Sequence, residues 1–385
     1  MTSLTYTVGS LFDGSGGFPL AGTLCGIAPR WASEVEPYPI AVTKKNFPEM
    51  RHLGDISKVK GWEIEPVDII TFGSPCQDLS VAGKRAGIKH ETRGAEETTR
   101  SGLFMEAVRI IKEMRQATNG KQPRFALWEN VPGAFSSNKG EDFRIVLEEL
   151  IKVIEPEASV PEVPPNGWSY SDCYIGDGWS LAYRVLDAQY WGVPQRRRRI
   201  YLVADFGAKC SEKILFKSPG VRGYSEAFGK MREDHLAKTS GTAGETGKTF
   251  VMDYFLGSAE SEVAPTLCTK QGNMVARITK DESYIRRLTP TECARLQGFP
   301  DDWGDLKEKT HLSKDELHFW QEVRNTHANI NGRTVKDFTE KQLLNWYNKL
   351  ESDSAKYKLW GNGIAIPNAL YCMQGIVDAL ERTTT

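Results

Sequence analysis

The sequence predicts an α/β protein, in which a doubly wound, mostly parallel sheet is joined to a second, smaller and loop-rich domain. Short apolar runs typical of strands alternate with amphipathic segments typical of helices from residue 4 to about residue 205. After about residue 207 the chain is rich in Gly, Ser, Thr and Lys and loses this alternation. We therefore expect residues 1–206 and 351–385 to form the larger domain and residues 207–350 to form the smaller one.

Five apolar runs in the first part of the chain are predicted strands, and one segment is the clearest helix. The strands are Tyr6–Val8, Val67–Phe72, Phe125–Trp128, Tyr183–Leu186 and Ile200–Val203. The helix covers residues 103–114, because Leu103, Ala107, Ile110, Ile111 and Met114 recur on one face. Residues 155–180 contain Pro and Gly and predict a long surface excursion, while α/β character is expected to return from Trp360 onward.

The composition is that of a soluble globular protein. The 385 residues are 40% hydrophobic and 26% charged. The N-terminus has no basic and apolar signal segment, and no run approaches the roughly 20 apolar residues that cross a bilayer, so we expect a cytoplasmic protein. Seven cysteines without a C-x-x-C pair argue against a disulfide framework and a zinc site. With a net charge of −1, nucleic-acid contacts must come from a local basic patch.

A glycine-rich turn follows the first predicted strand. The run Phe12-Asp13-Gly14-Ser15-Gly16-Gly17 would let the backbone pass close to a nucleoside ligand before a helix begins. Glu34 follows about twenty residues later, where an acid of a Rossmann-type domain meets a ribose hydroxyl. Asp55 could accept a hydrogen bond from an adenine amino group. A structural turn with two surface carboxylates explains the same residues, and they leave this alternative open.

A second set of candidate residues lies where predicted strands end. Cys76 follows the second strand and Glu129 closes the third, at the carboxyl ends where open α/β sheets bind ligands. Nearby cations lower the pKa of a thiol and make it nucleophilic, and an adjacent carboxyl group can protonate a ring nitrogen. In the run Gln195–Arg199, the alternation of a strand places Arg197 and Arg199 on one side. The alternatives are a buried inert cysteine, a capping or ion-paired glutamate, and a solvated basic face.

These blocks together resemble cytosine-5 DNA methyltransferases. The resemblance rests on Pro75-Cys76-Gln77, Glu129-Asn130-Val131 and Gln195-x-Arg197-x-Arg199, which occur in the family's order. It continues through Arg287-Leu288-Thr289-Pro290-x-Glu292-x-x-Arg295-Leu296-Gln297-Gly298-Phe299-Pro300 and Gly361-Asn362, so it spans nearly the whole chain. Two features depart from the family's pattern. Gly363 stands where serine is common, and an unusually long segment separates Pro300 from Asn362.

The resemblance implies a Rossmann-like methyltransferase domain, a target-recognition domain at about residues 208–286, and S-adenosyl-L-methionine as cofactor. It assigns Cys76 as the nucleophile, Glu129 as the acid at ring nitrogen 3, and Arg197 and Arg199 as arginines at the base and nearby backbone. Ser80 to about Gly94 would form a mobile loop, and Thr266-Leu267 would be the recognition domain's Thr-Leu pair. The implied cofactor contacts are Phe12, Gly14, Ser15, Gly17, Glu34, Asp55, Ile56, Leu103 and Asn362.

The implied activity is that of a DNA (cytosine-5-)-methyltransferase, which attacks carbon 6 of a flipped-out cytosine with its thiolate and then methylates carbon 5. The expected partner is double-stranded DNA, bound by a monomer. A tRNA cytosine-5 methyltransferase, a nicotinamide oxidoreductase and a non-catalytic DNA-binding module are the competing interpretations. The recognised DNA sequence cannot be read from these residues. Nor can a restriction–modification role, with a cognate endonuclease, be told from a solitary or phage-borne one.

Residues 312–350 are predicted to form a pair of helices for which the resemblance supplies no role. Ser313-x-x-Glu316 and Thr339-x-x-Gln342 are typical capping boxes, and apolar residues follow each at helical spacing. Asn329–Gly332 should end the first helix. Acidic residues alternate with the basic ones, which favours a structural brace for the recognition domain over a DNA-binding surface.

Overall fold

The computed structural model describes residues 6–74, 102–216, 248–253, 267, 273–278 and 283–382, with only the backbone for 248–253, 273–278 and 283–286. Three predictions lie outside these residues: the nucleophile Cys76, the loop from Ser80 to Gly94, and Thr266 of the Thr-Leu pair. No helix in the described part of the chain is both long and apolar enough to cross a membrane.

An eight-stranded sheet is the central element of the fold. Its strands are β1 (Tyr6–Leu11), β2 (Ile27–Ser33), β3 (Arg51–His52), β4 (Ile69–Phe72), β5 (Phe125–Asn130), β6 (Ser171–Ile175), β7 (Ser180–Asp187) and β8 (Arg198–Asp205). Their order is β3-β2-β1-β4-β5-β8-β7-β6. The pairs from β3 to β5 are parallel, and the pairs from β5 to β6 are antiparallel. The predicted fold class, a mostly parallel α/β sheet, is confirmed.

Helices cover both faces of this sheet. The helices in the described part of the chain are α1 (Gly17–Leu24), α2 (Pro37–Asn46), α3 (Leu103–Ala117), α4 (Glu141–Ile151), α5 (Ser211–Leu215), α6 (Pro290–Gln297), α7 (Lys314–Ile330), α8 (Glu340–Tyr347), α9 (Asp353–Asn362) and α10 (Ile366–Arg382). One apolar layer packs α3 and α4 on the sheet, and a second packs α1, α5 and α10 on the other face. The sheet is therefore doubly wound, as predicted.

Helix α3 shows why the apolar spacing predicted a helix. Ala107, Ile110, Ile111 and Met114 are fully buried against the sheet, and Leu103 at the start of the helix is half-buried. Every predicted strand is also found. Four of them extend by a few residues, because buried strands continue beyond their most apolar centre, and the one predicted at Val67–Phe72 is shorter, since β4 begins at Ile69.

Two predictions about local structure need correction. Residues 155–180 are not only a surface excursion, because β6 pairs with β7 there as the edge strand of the sheet. Its pattern of mostly exposed and half-buried side chains gave no apolar signal. From residue 353 to residue 382 the chain forms α9 and α10 without a strand, so the α/β character expected after Trp360 is wrong.

The predicted helical pair is present as α7 and α8. Both capping boxes are formed, with Ser313 and Glu316 at the start of α7 and Thr339 and Gln342 at the start of α8. The pair packs on α2, where Trp320 joins a buried cluster with Ile40. A separate three-stranded antiparallel sheet, in the order β11-β10-β9, consists of β9 (Lys248–Asp253), β10 (Asn273–Ile278) and β11 (Ser283–Arg287). The division of the chain into two domains stays a prediction.

Candidate active site

The backbone of the glycine-rich turn that follows β1 is strained. Phe12 has a φ of 56° and Gly14 a φ of 54°, which lie in the left-handed region. A left-handed phenylalanine is unusual, and such strain persists where the surrounding structure fixes a functional turn. A Cβ atom on Gly14 would have only the carbonyl oxygen of Phe12 within 4 Å, at 3.9 Å. The turn therefore keeps open space beside its backbone, as a ligand cradle requires.

Glu34 fixes this turn through its carboxylate. One oxygen accepts a 2.8 Å hydrogen bond from the backbone N–H of Gly14. The other accepts from the N–H groups of Val35 and Glu36 at 2.7 and 2.9 Å. Burial raises the pKa of Glu34, and these three hydrogen bonds oppose that rise. A carboxylate can accept about four hydrogen bonds. Glu34 therefore holds the turn and keeps capacity for a ligand hydroxyl.

Asp55 and Ile56 lie beside the same turn. The hydroxyl group of Ser33, at the end of β2, donates to the carbonyl oxygen of Gly54 at 2.7 Å and ties the two segments together. Asp55 Oδ1 accepts from the backbone N–H and the hydroxyl of Ser57 at 3.0 and 2.9 Å, so it caps the short helix Ile56–Lys58. Asp55 is half-buried.

Leu103 approaches this group of residues from α3. Its side chain packs, together with Phe12, on the buried layer beneath the sheet edge. Arg109 on the same helix donates to the carbonyl oxygen of Ile56 at 3.1 Å. The structure therefore brings the turn, the end of β2, the Ile56 segment and the start of α3 together at one edge of the sheet.

The segment 361–363 closes the other side of the turn. A Cβ atom on Gly363 would lie 2.9 Å from Ser15 Oγ, so glycine allows Ser15 to approach. Similarly, a Cβ atom on Gly17 would lie 2.5 Å from the side chain of Ile364. Asn362 itself is exposed at the end of α9. The serine common at position 363 in the family would crowd Ser15 in this chain.

Asp13 is a buried acid that the sequence did not single out. It is 7% exposed, and neither carboxylate oxygen has a hydrogen-bond partner among the described residues. Burial raises its pKa to about 7, the side chain of Ser10 opposes the rise, and the charge of Glu34 adds to it. Such a group is suited to a cationic ligand, since an opposite charge would compensate for the cost of burying the carboxylate.

Glu129 lies above the strand end that leads to Cys76. A Cβ atom on Gly73 would be 3.2 Å from Glu129 Oε2. The side-chain amide of Asn130 donates to the carbonyl oxygen of Ser74 at 3.1 Å, and Trp128 Nε1 donates to the Ser74 hydroxyl at 3.2 Å. The carboxyl ends of β4 and β5 are thus fixed to each other. Ser74, the last described residue of this segment, is two residues before Cys76 in the sequence.

The arginines of the run alternate as predicted. Arg197 is 2% exposed, and Arg199 is turned inward, while their neighbours Arg196 and Arg198 are exposed. Arg199 Nε lies 3.1 Å from Glu129 Oε1. Arg197 donates to the carbonyl oxygens of Gly363 and Gly361, so it links the residues just before β8 to the segment 361–363.

The protonation of Glu129 is set by two opposing effects. Burial raises the pKa of Glu129, and the positive charges of Arg199 and Arg197 and the hydrogen bond from Arg199 lower it. Burial prevails, so the pKa lies above that of an ordinary glutamate. A carboxyl group in this state can hold a proton closer to neutral pH and donate it to a basic ring nitrogen.

Sequence reasoning also missed Trp303, whose indole Nε1 donates to the carbonyl oxygen of Ser15 at 2.8 Å. Trp303 supports the glycine-rich turn from a segment far along the chain, and no local motif marks such a contact. For Asp13 a signal existed, because an acid stood inside the glycine-rich turn itself. Among the described residues, no group of His, Cys, Asp and Glu has the arrangement of a metal site.

The sheet and the helices that cover it form a Rossmann-like α/β fold. The model of the family C-5 cytosine-specific DNA methylase matches residues 6–153 and 208–315. The chain belongs to this family. The resemblance stated from the motifs is therefore confirmed.

The chain is similar to several curated methyltransferases. It is 27% identical to the DNA N-6-adenine-methyltransferase of Escherichia phage P1, over 99% of this chain and 62% of that protein. It is 29% identical to the Type II methyltransferase M.MspI of Moraxella sp, over 76% of this chain and 62% of that protein. The chain thus spans less than two thirds of the length of these relatives.

Two solved structures support the fold. The Dnmt2 methyltransferase of S. pombe has a TM-score of 0.58 at 16% identity and covers 98% of this chain and 99% of its own. The Entamoeba histolytica methyltransferase EhMeth has a TM-score of 0.51 at 14% identity, with 98% and 99% of the two chains covered. At this level of identity the likeness concerns the fold alone.

Proposed function

We propose that this protein transfers a methyl group from S-adenosyl-L-methionine to carbon 5 of a cytosine flipped out of double-stranded DNA, through a covalent adduct with Cys76. The observation that carries the proposal is the position of Glu129. It is a buried acid paired with Arg199 at 3.1 Å, and its carboxylate lies against Gly73 on the strand that leads to Cys76. An acid and a cation at the strand edge from which the chain continues to Cys76 fit this chemistry.

The residues around the glycine-rich turn fit the cofactor. Its ribose would bind Glu34, its adenine would lie near Asp55 and Ile56, and the backbone of Phe12 and Gly14 would approach its methionine part. Ser15, Gly17, Leu103 and Asn362 complete the set implied by the resemblance. The buried carboxylate of Asp13, next to this turn, suits a ligand that carries positive charge. When bound, the cofactor supplies an electrophilic methyl group on a sulfonium.

The chain's own residues would activate the base. Carbon 5 of cytosine is too weak a nucleophile to be methylated unaided. The Cys76 thiolate adds to carbon 6, Glu129 gives its proton to nitrogen 3, and an arginine stabilises the exocyclic oxygen. After methylation, a base removes the carbon 5 proton and the thiolate leaves. The cytosine must leave the duplex for this attack, at a cost of a few kcal/mol.

We also propose the division of labour along the chain. Residues 1–206 and 351–385 carry catalysis and cofactor binding, residues 207–350 form the smaller domain, and residues 208–286 read the DNA sequence. Double-stranded DNA is the partner of a monomer acting in the cytoplasm. The similarity to Type II methyltransferases supports a restriction–modification role with a cognate endonuclease.

Two other methyl acceptors, adenine and the cytosine of tRNA, are alternatives to the cytosine of DNA. The name of the phage P1 relative raises methylation of the adenine N6 amino group, and the tRNA alternative keeps the cytosine chemistry on another nucleic acid. Transfer to an exocyclic amine needs neither a thiol that adds to the ring nor an acid at a ring nitrogen. The buried, arginine-paired Glu129 therefore favours cytosine.

The test uses the purified full chain with labelled cofactor on duplex DNA and on tRNA, followed by mass analysis of the nucleosides. We expect 5-methylcytosine in the DNA alone. N6-methyladenine as the product, or tRNA as the better acceptor, would contradict the proposal. Bisulfite sequencing of DNA from cells that express the protein would then identify the methylated sequence.

The covalent step has its own test. Duplex DNA with 5-fluorocytosine at the methylated position should form a stable adduct with the wild type, because fluorine cannot leave as a proton does. Cys76→Ser should abolish the adduct and methyl transfer while it retains cofactor binding. Cys293→Ser is the matched control. Cys293 is a buried core residue, so its thiol has no part in the proposed chemistry. Substantial turnover by Cys76→Ser would refute the mechanism.

A further inference from the structure

The helical pair α7–α8 leaves and rejoins the rest of the chain through two short segments that are bonded to each other. The backbone N–H of Lys309 donates to the side chain of Asn348 at 3.0 Å, and the amide of Asn348 donates back to the carbonyl oxygen of Lys309 at 2.8 Å. We define residues 301–309 and 348–356 as the stem of the helical pair. The stem belongs to the unusually long segment that departs from the family's pattern, and the proposed chemistry does not use it.

A lysine on α9 joins the two halves of the stem. The ammonium group of Lys356 lies 2.6 Å from the carboxylate of Asp305 and 2.6 Å from that of Glu351. The backbone N–H of Leu306 also donates to the Glu351 carboxylate at 2.6 Å. The side chain of Lys356 is 17% exposed, and partly buried ion pairs are screened less by salt than exposed ones. The stem is therefore held together as one unit.

The end of helix α2 holds the first half of the stem. The ammonium group of Lys45 donates to the carbonyl oxygens of Asp302 and Asp305 at 2.6 and 3.0 Å. The side-chain amide of the next residue, Asn46, donates to the carbonyl oxygen of Trp303 at 3.0 Å. Hydrogen bonds from a charged donor are stronger than those between neutral groups. The backbone on both sides of Trp303 is thus fixed to α2.

Trp303 connects the stem to the glycine-rich turn. It is 7% exposed, and its indole Nε1 donates to the carbonyl oxygen of Ser15 at 2.8 Å. The rings of Phe47 and Trp303 meet edge-on, with centres 5.6 Å apart. A Cβ atom on Gly16 would lie 2.8 Å from the side chain of Thr43 and 3.7 Å from the Trp303 ring. The turn is therefore enclosed between the end of α2 and the stem.

The start of α1 explains why the turn needs this hydrogen bond. In an α-helix the N–H of each residue donates to the carbonyl oxygen four residues earlier, as Leu20 does to Gly16 at 2.9 Å. The matching donor for Ser15 would be residue 19, which is a proline without an N–H. Trp303 supplies a donor to this carbonyl oxygen. The indole N–H thus takes the place of a backbone donor where the turn enters α1.

We propose that the stem of the helical pair is a positioning element for the cofactor-binding turn, and that Trp303 is the residue through which it acts. The inference rests on the proposed function, in which the backbone of this turn binds S-adenosyl-L-methionine. A turn that leaves its binding conformation for part of the time binds its ligand more weakly by that fraction. The stem therefore sets the affinity for the cofactor, a role separate from DNA recognition and from the chemistry at carbon 6.

Calorimetric titration of the full chain with S-adenosylhomocysteine measures this affinity without methyl transfer. Trp303→Phe keeps an aromatic ring but removes the N–H donor, so it should weaken binding about tenfold. Lys45→Met removes the donor to the stem and should weaken binding about threefold. Lys45→Arg retains a charged donor and should bind like the wild type. In steady-state assays, Trp303→Phe should raise KM for the cofactor and leave kcat and KM for DNA unchanged.

Matched variants separate positioning from a general loss of stability. Lys44→Met removes the neighbouring charge of α2, which lies over the ring of Phe319 on α7. Trp346→Phe makes the same tryptophan change in α8, where the ring meets that of Trp320. Both should bind S-adenosylhomocysteine within about twofold of the wild type. Denaturant unfolding of each variant identifies a temperature at which all of them are folded, and the affinities are compared there.

Hydrogen exchange measures the restraint on the turn in the protein without ligands. The amides of residues 13–17 should exchange at least about tenfold faster in Trp303→Phe than in the wild type, because the turn opens more often when it loses this support. The same amides should exchange at the wild-type rate in Trp346→Phe.

The outcomes distinguish this inference from the proposed function. If the wild type binds S-adenosylhomocysteine and Trp303→Phe binds it as tightly as Trp346→Phe does, the positioning role is overturned. A Trp303→Phe variant that loses stability, cofactor binding and DNA binding to the same extent would also overturn it. If the wild type binds no S-adenosylhomocysteine, the proposed function fails. The exchange rates then still decide whether Trp303 fixes the turn, and equal rates in Trp303→Phe and the wild type would show that it does not.

Discussion

At the scale of single residues, Glu129 occupies a position where burial and charge oppose each other. Burial raises the pKa of Glu129, and the two arginines beside it lower that pKa without cancelling the rise. Its protonated fraction is therefore larger near neutral pH than for an exposed glutamate, and it falls as the pH rises through the folded-state pKa. Cys76 requires the opposite protonation state, because its thiol reacts as the deprotonated thiolate.

Glu129→Gln should lower kcat by about 100-fold or more, because an amide can hydrogen-bond nitrogen 3 but cannot give it a proton. The wild type should lose activity toward alkaline pH as Glu129 loses its proton, and the variant should lack this loss. Single-turnover rates over a pH series measure both effects. Glu212→Gln, an exposed glutamate on α5, is the control. If Glu129→Gln turns over at nearly the wild-type rate, then Glu129 does not act as the acid at nitrogen 3.

Asp13→Asn should stabilise the protein without ligands at alkaline pH. Between the unfolded pKa of 3.8 and the folded pKa of about 7, the native state binds more protons than the unfolded state. The free energy of unfolding therefore falls as pH rises through this interval. The stability that the extra bound proton of the native state contributes is lost above the folded pKa. Asparagine buries no charge, so the variant should gain about 1–3 kcal/mol near pH 8 and depend less on pH.

Denaturant unfolding at a series of pH values measures this difference. Asp177→Asn replaces an exposed carboxylate and should leave the pH dependence unchanged. If Asp13→Asn and the wild type show the same pH dependence, then Asp13 carries no buried charge in the native state.

Sequence patterns located the strand-end residues of the site but not their partners. Glu34 and Glu129 could be placed because strand ends and glycine-rich turns leave local signals. That Arg197 binds the carbonyl oxygens of Gly361 and Gly363 depends on segments far apart in the chain. The support of Ser15 by Trp303 is equally non-local. Such contacts follow from tertiary packing, which no short motif encodes.

At the scale of elements, the sequence predicted the local structure of the helical pair α7–α8 but not its tertiary packing. Both capping boxes were predicted, because their residues are neighbours in the sequence. The packing partner was not predicted, since Trp320 reaches α2 in the first part of the chain. Phe319 also meets the ring of His52 and the ammonium group of Lys44. The pair is thus anchored on the larger domain, and a brace for the recognition domain stays a prediction.

Trp320→Ala should lower the free energy of unfolding by about 3–5 kcal/mol, because Trp320 is almost fully buried between the helices and α2. Trp346→Ala should cost less, since Trp346 is half-buried at the edge of the same cluster. Trp62, which is 55% exposed, gives the control, and Trp62→Ala should change stability by no more than about 0.5 kcal/mol. Equal losses in all three variants would contradict this packing.

The basic residues of α7 and α8 differ in what they contact. Arg324 lies 3.4 Å from the centre of the Phe338 ring and donates to the carbonyl oxygen of Lys336, so it holds the connection between the helices. Lys314 and Lys341 are exposed. Reversing these two lysines to glutamate should leave DNA affinity within a few-fold. A hundredfold loss, measured on a folded variant, would make the pair a DNA-binding surface.

At the scale of the whole molecule, the boundary of the recognition segment can be set more sharply than the composition allowed. Helix α5 lies within the predicted segment 208–286, yet Ile214 and Leu215 are buried in the layer shared with α10. Arg184 and Tyr371 both donate to the carbonyl oxygen of Leu215, at 3.0 and 2.9 Å. The chain is therefore tied to β7 and α10 as far as α5, and an exchange of recognition segments should begin after residue 216.

Replacing residues 217–286 with the corresponding segment of a relative of known specificity should change the methylated sequence and leave the chemistry intact. The eight-stranded sheet and its site residues lie outside the exchanged segment, and discrimination should rest on base contacts worth about 1–3 kcal/mol each. Bisulfite sequencing reads the methylated site, and the 5-fluorocytosine adduct reads the chemistry. A matched chimera that begins at residue 208 removes α5 and should be less stable. An active chimera that begins after residue 216 and keeps the original site would place recognition elsewhere in the chain.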